Sequence, residues 1–308
     1  MDQNYQPYSV FQEQPPVKNA AYYRAEARDA LRGKWPISSI VYFLYTVIQS
    51  FASSIASVPF FIFGLMITAR GGNTDPLSSA VSSLLSTLLT LVMLAFIAAP
   101  MTVGLYRIYL DLIDGKDVSF ENLFVYFKKG YLHTVVAYML YMLIAVASTL
   151  PSMIGAIAAS ALITLLGSSP ATILLSSAVI FLTFVISIAL IFLLTCRYSM
   201  TFFILAEYPE MGAIDVLRNS ASLMNGNKWK LFCLLFSFIG WILLLIPVAI
   251  VTCGIGAIIG ICVLYAYMLT AQAAFYHDIA RRDASNDVEF PSLNPDDYTP
   301  DNDPDQQM

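Results

Sequence analysis

Charge is scarce in this chain. Asp, Glu, Lys and Arg make up only 12% of its 308 residues, while 58% are hydrophobic. Soluble globular domains carry about twice that share of charge. A water-soluble fold of this composition would leave too much apolar surface unburied, so the deficit points to a chain embedded in lipid. The scarcity is also local: residues 35–69, 76–106, 130–196 and 231–277 contain no charged side chain at all. Histidine occurs only as His133 and His277, far apart. The cysteines Cys196, Cys233, Cys253 and Cys262 form no C-x-x-C pair and lie in or beside apolar runs. That pattern reads as small buried side chains, not as a metal site or a disulfide framework. There is no H-E-x-x-H, G-x-S-x-G, G-x-x-x-x-G-K-[ST] or G-x-G-x-x-G. No acid lies inside an apolar run, which removes the usual mark of proton relays and ion-coupled transport. No catalytic, cofactor-binding or metal-ligating residue is nominated, and the chain is expected not to be an enzyme. No nucleic-acid partner is expected.

What is present is hydrophobic length. About 20 apolar residues cross the hydrocarbon core of a bilayer. The first two uncharged blocks hold one span each. The block 130–196 is interrupted by Gly167-Ser168-Ser169-Pro170 and holds two; the block 231–277 is interrupted near Thr252–Gly256 and holds two. The expected fold is therefore all-α, a polytopic membrane protein of six transmembrane helices. A cleavable signal peptide is not expected, because the first apolar run starts after Lys34 and is too long for one. Fifteen of the sixteen basic residues fall before the first span, between the second and third, between the fourth and fifth, or after the sixth; Arg70 is the exception. Cytoplasmic loops hold the excess of Lys and Arg. Both termini are therefore expected in the cytoplasm.

The sequence also repeats itself loosely. Gly33, Gly130 and Gly226 are spaced by 97 and 96 residues. Each follows a short amphipathic segment and precedes a span, through Lys34-Trp35, Tyr131 and Lys228-Trp229-Lys230. Three pseudo-repeats follow, about 20–115, 116–209 and 210–282, each an interfacial amphipathic helix plus a helical hairpin. In 21–32 the apolar face is Tyr23, Ala27, Ala30 and Leu31. In 119–129 it is Phe120, Leu123, Phe124 and Phe127. In 210–224 it is Ile214, Leu217, Ala221 and Met224. Such faces with basic flanks suit helices lying in the inner interface. The glycines would cap them where the chain turns into the membrane, and the Lys, Trp and Tyr residues would anchor the turn at the headgroups. Ser237 and Gly240 would give the fifth span a close-packing face. Pro59, Pro151 and Pro247 lie 24, 19 and 18 residues after Trp35, Leu132 and Trp229, which predicts a kink or break in each odd-numbered span.

Polar features inside the spans leave two readings open. Thr46, Ser50, Ser53 and Ser57 share a face of the first helix, as do Ser79, Ser83, Ser86 and Thr90 in the second. Thr172, Ser176, Thr183 and Ser187 do so in the fourth. Small hydroxyl residues let helices approach; they could equally line a polar conduit. Gly256 and Gly260 form a G-x-x-x-G for packing within the chain or between chains. Arg197, at the inner end of the fourth span, is either a snorkelling anchor or a headgroup or ligand contact. Outside residues 20–282, the N-terminal 1–19 is rich in Gln and Pro. Residues 283–308 hold eight acids and no Lys or Arg. Both tails are expected to be disordered and cytoplasmic.

The segments LRNSASLMNGNKWKLFCLLFSFIGW (217–241), VTCGIG (251–256) and AAFYHDI (273–279) resemble a bacterial integral-membrane family catalogued as domain of unknown function 975. So do ALRGKW (30–35), Pro100 with Gly104, and YSMTFFILAEYPE (198–210). The resemblance covers roughly residues 20–280. It implies six spans in a bacterial plasma membrane and supplies no activity. Where the family pattern has Pro-Tyr in the sixth helix, this chain has Leu264-Tyr265. The functional expectation is a non-enzymatic protein acting in membrane or envelope organisation or regulation. It would work through lipids, or through protein partners at the interfacial helices or acidic tail. The alternative is a transporter or channel for a neutral or amphiphilic solute. The sequence sets no oligomeric state.

Overall fold

A chain that crosses lipid must satisfy its backbone hydrogen bonds internally, which leaves helices or closed barrels. The computed structural model describes residues 18–69 and 76–284, and among these there are helices and turns but no strand. Six stretches are long and apolar enough to cross a bilayer: Trp35–Ile55, Ala95–Ile113, Tyr131–Leu166, Pro170–Glu207, Lys228–Val251 and Ile255–Asp283. The elements in order are α1 (Ala20–Ala30), α2 (Trp35–Ala69), α3 (Pro76–Ile113), two 3-10 turns (Phe120–Leu123 and Val125–Phe127), α4 (Tyr131–Ala147), α5 (Leu150–Leu166), α6 (Pro170–Arg197), α7 (Thr201–Glu207), α8 (Ala213–Leu223), α9 (Lys228–Phe236), α10 (Ile239–Val251) and α11 (Ile255–Ala284).

α3 and α11 form the axis. α3 packs against α2, α4, α7 and the first 3-10 turn, and α11 packs against α1, α2, α3 and α10. Ala98, Ala99, Ala266, Ala271 and Ala273 are fully buried, since short side chains let helix axes approach. Aromatic rings fill what remains: Tyr23 meets Phe275 edge-on at 5.3 Å, Tyr106 meets Phe203 at 4.6 Å, and Phe203 stacks on Tyr276 at 5.4 Å. This core sits towards one end, where α1, α7, α8 and the C-terminal turns of α3 and α11 come together. α5 folds back along α6, and α10 packs along α11. These hairpins keep large apolar side chains such as Leu165, Phe181 and Val251 outward. Burial reaches 72% in the α3 span but only 11% in the α6 span. The hydrophobicity of α6 is therefore matched by lipid and not by protein.

The amphipathic segments differ from expectation in two places. Residues 119–129 form two 3-10 turns, not an α-helix. Leu123 and Tyr126 are the buried pair, while Phe120, Phe124 and Phe127 stay exposed. A spacing of three is the 3-10 period, and α3 takes these two side chains. The turn can sit this close because α3 offers Gly104: a Cβ there would lie 2.5 Å from the Leu123 carbonyl oxygen. In α8 the buried face is Ala213, Val216, Leu217, Ser220 and Leu223, and Ile214 is exposed. The stripe is rotated because α8 docks on α4 and α7.

The prolines behave unequally. The span at Pro151 breaks at Ser148-Thr149 and restarts with Leu150-Pro151, where a helix loses no hydrogen bond to proline. α2 runs through position 59 without interruption. Pro247 lies inside α10; the break in that span comes earlier, at Ser237-Phe238, between α9 and α10. The Ser237 hydroxyl donates to the Leu234 carbonyl at 2.6 Å, a local bond that competes with the helical ladder. Gly240 faces open space, so it makes no close-packing contact. The tails 1–17 and 285–308, and Arg70, lie outside the described residues.

Candidate functional site

Most charged groups of the core end are committed to holding helices together. Asp111 is buried in the last turn of α3. A carboxylate is disfavoured at a helix C-terminus by the dipole, so it needs partners. Arg107 reaches it at 3.2 Å and Lys116 at 3.1 Å, and the Asn122 amide donates to it at 3.2 Å. Arg107 and the Tyr126 hydroxyl both donate to the Ala206 carbonyl of α7. Burial pushes the Tyr126 phenol up to about 12, so it remains a donor. Lys116 is held above its ordinary value by its hydrogen bonds to Asp111 and Asp114. Further out, the Tyr23 hydroxyl donates to Asp278 at 2.7 Å and the Tyr276 hydroxyl to Glu207 at 2.6 Å. These bonds join α1, α3, α7 and α11.

A second group of charges is arranged differently. Arg197 is the last residue of α6, Arg218 projects from α8, and Lys228 is the first residue of α9. All three line one recess of about 610 Å³, with Tyr198, Ser222 and Asn225 as further polar walls and Ile214, Leu217 and Ala221 as apolar ones. The local sequence builds it in three steps. The turn Tyr198–Met200 leads into α7, whose residues Thr201–Ala206 are all buried. The Ser220 hydroxyl then donates to the Arg197 carbonyl at 3.4 Å, tying α8 to the end of α6. Gly226, at φ +78°, reverses the chain into α9. No Asp or Glu of the described residues lines the recess. Among the described residues, none of its three cations has a carboxylate within 4.0 Å. Lys228 stands at the N-terminus of α9, where the helix dipole adds to its charge instead of offsetting it. The recess is therefore a concentration of uncompensated positive charge beside an apolar wall, the combination that binds an anion at a membrane surface.

The residues nominated from the sequence divide into three groups. Arg197, Lys228 and Gly226 come together in or beside the recess. Lys34 does not reach outward: its ammonium donates to the Lys116 carbonyl at 2.7 Å and pairs with Asp117 at 3.3 Å. Trp35 is half-buried with its ring 5.7 Å from Tyr267, and Tyr131 donates to the Phe96 carbonyl at 3.0 Å while stacking on Phe127. Both pack against the protein. Trp229 is exposed, and Lys230, also exposed, reaches Asn227 at 3.2 Å. Gly33 and Gly130 have φ of +78° and +63°. Arg218, Tyr198, Ser222 and Asn225 were not singled out from the sequence. Arg218 and Ser222 sit four apart on the polar side of α8, a spacing that reads equally well as a solvated face.

The hydroxyl stripes resolve into local roles. In α6, Thr172, Ser176 and Ser187 are buried. Ser187 accepts from the Ser152 backbone N–H of α5 at 3.0 Å, and Thr183 presses on Gly155. In α2, Ser50, Ser53 and Ser57 donate to carbonyls of their own helix. The α3 stripe lies outside the described side chains. Gly256 and Gly260 face Val248 and Leu245 of α10, which makes this motif a contact within the chain.

Six apolar spans about a core of small residues, the Gly104 approach and the 217–241 turn are thus in place. The family described as "Protein of unknown function (DUF975)" matches residues 18–283. This chain belongs to it. No curated protein and no solved structure matches the chain. The match begins at the lead-in to α1 and ends in the last turn of α11. All nine residues that line the recess thus lie within the part of this DUF975 chain that carries the family pattern.

Proposed function

We propose that this DUF975 protein is a non-enzymatic component of a bacterial plasma membrane that organises or regulates its envelope by holding anionic groups at the cytoplasmic face. The reading rests on one observation: Arg197, Arg218 and Lys228 converge on a recess that no carboxylate of the described residues shares. Three like charges brought together without partners repel one another, and an anion relieves that repulsion. α1 and the C-terminal turns of α11 lie at the same end as the recess, and the distribution of Lys and Arg supports a cytoplasmic position for that end. Among the described residues the hydroxyl stripes lend a solute conduit no support, since Ser187 and Thr183 of α6 meet α5, Thr172 and Ser176 bond within their own segment, and those of α2 donate to their own backbone.

The test is to extract the protein with its surrounding lipid in polymer-bounded native discs and compare the recovered lipids with the bulk membrane. Anionic lipid should be enriched and recovered chemically unchanged. The enrichment should fall in the triple variant Arg197→Gln/Arg218→Gln/Lys228→Gln. Discs whose lipid composition equals the bulk membrane, together with no binding of glycerol 3-phosphate that depends on these three cations, would remove the reading.

A further inference from the structure

The recess continues upward into an aromatic track. α6 and α9 pack against each other as antiparallel neighbours. The rings of Phe192 and Phe232 meet edge-on at 5.0 Å. Phe192 precedes Arg197 by five residues and Phe232 follows Lys228 by four, so the helices run in opposite directions from the recess to this ring pair. At 1.5 Å per residue the aromatic pair lies about 6 Å deeper in the membrane than the cations. Trp229 contacts Phe232 at 5.0 Å, and Phe236 continues the line at 5.5 Å. Trp229, Phe236 and Leu193 remain exposed. Two of the three cations of the recess, Arg197 and Lys228, thus stand on the same two helices that carry an apolar, ring-lined strip a turn or more further along.

We infer that this strip and the recess form one site for a single anionic phospholipid of the inner leaflet. Its phosphate would lie among Arg197, Arg218 and Lys228, and an acyl chain would lie along Phe192, Phe232 and Phe236. The inference rests on the proposal that the recess takes an anion, and adds the molecule that carries it. Two features select a lipid over a free phosphate. The apolar strip is continuous with the cations, and its rings are offered to hydrocarbon, not to water. Zwitterionic lipids share the chains but not the net charge, so they satisfy only half of the site.

Trp229 provides the probe. A full-length chain carrying Trp35→Phe and Trp241→Phe retains Trp229 as its one tryptophan. It is reconstituted in phosphatidylcholine vesicles containing the same low mole fraction of brominated-chain phosphatidylglycerol or brominated-chain phosphatidylcholine. The phosphatidylglycerol should quench Trp229 several-fold more strongly and saturate. That difference should vanish with Arg197→Gln/Arg218→Gln and shrink with Phe232→Ala; if the alanine variant does not fold, Phe232→Leu should show the smaller shrinkage. Equal quenching by the two lipids would overturn the inference. Calorimetry with glycerol 3-phosphate separates the two levels. If it binds as tightly as the lipid and the double cation variant abolishes that binding, the lipid inference fails while the anion recess stands. If neither ligand distinguishes the parent from the double variant, both fail.

Discussion

Asp111 and Arg218 illustrate two uses of charge at the residue scale. Asp111 is 8% exposed and shared by Arg107, Lys116 and Asn122. Asp111→Ala would leave Arg107 partly buried without its carboxylate, and such losses cost about 3 kcal/mol. Thermal unfolding in detergent should show a clear drop in midpoint. Asp114→Ala should cost under about 1 kcal/mol, because that carboxylate is 35% exposed and its pairs are screened. Arg218 has no ion pair among the described residues, so Arg218→Gln should leave the midpoint within about 0.5 kcal/mol of the parent while anionic-lipid retention falls. A large stability loss in Arg218→Gln would mean that the residue holds the fold and not a ligand. The two tryptophans nominated as matching anchors also part ways here: Trp35 packs on Tyr267, whereas Trp229 stays exposed.

At the scale of elements, the turns decide how helices meet. Gly33, Gly130 and Gly226 all adopt positive φ, yet their surroundings differ. A Cβ at Gly33 would meet nothing within 4 Å, whereas at Gly130 it would lie 2.2 Å from the Pro209 carbonyl oxygen. Gly33→Ala should therefore cost only the left-handed penalty, about 1 kcal/mol. Gly130→Ala should cost distinctly more, because α4 must move away from the loop before α8. Melting of the two variants side by side checks the order. Glycine spacing revealed the turns, but not which of them is crowded, since that depends on a contact from residue 209. The 3-10 turns were hidden for a similar reason. The stripe Phe120, Leu123, Phe124, Phe127 fits an α-helix in sequence, and only α3 selects Leu123 with Tyr126 and leaves the three phenylalanines exposed.

For the whole molecule, the division between a protein-packed end and a lipid-facing end is the main architectural fact. α3 and α11 carry the burial, and α6 carries almost none. Topology is the prediction at this scale. Reporter fusions at residues 116 and 227 should read cytoplasmic, and a fusion at 168 should read external; the reverse pattern would place the cationic recess in the outer leaflet. The α5–α6 hairpin has its own signature. Gly155 faces Thr183 so closely that an added Cβ would lie 1.9 Å from the hydroxyl oxygen. Gly155→Leu should open the hairpin, read as faster proteolysis at the loop around residue 168, with the core end left folded.

Some of this was legible from the residues alone. Hydropathy depends only on composition along the chain, so the number of spans and the helical class were readable directly. The left-handed glycines were readable too, because their backbone preference is local. Other features required the fold. The sequence contains Arg197, Arg218 and Lys228 among its fifteen basic residues outside the Arg70 loop, and nothing in their spacing sets them apart. Only the docking of α8 against α7 and α4, with Ser220 bonded to Arg197, brings the three together, with no carboxylate of the described residues within 4.0 Å. Contacts with Lys116 and Asp117 after α3 and with Tyr267 of α11 turn Lys34 and Trp35 inward, so that two similar stretches of sequence have different surfaces. Local preference determines which segments become helices. The long-range placement of a few charged side chains determines which of them remain free to meet a ligand.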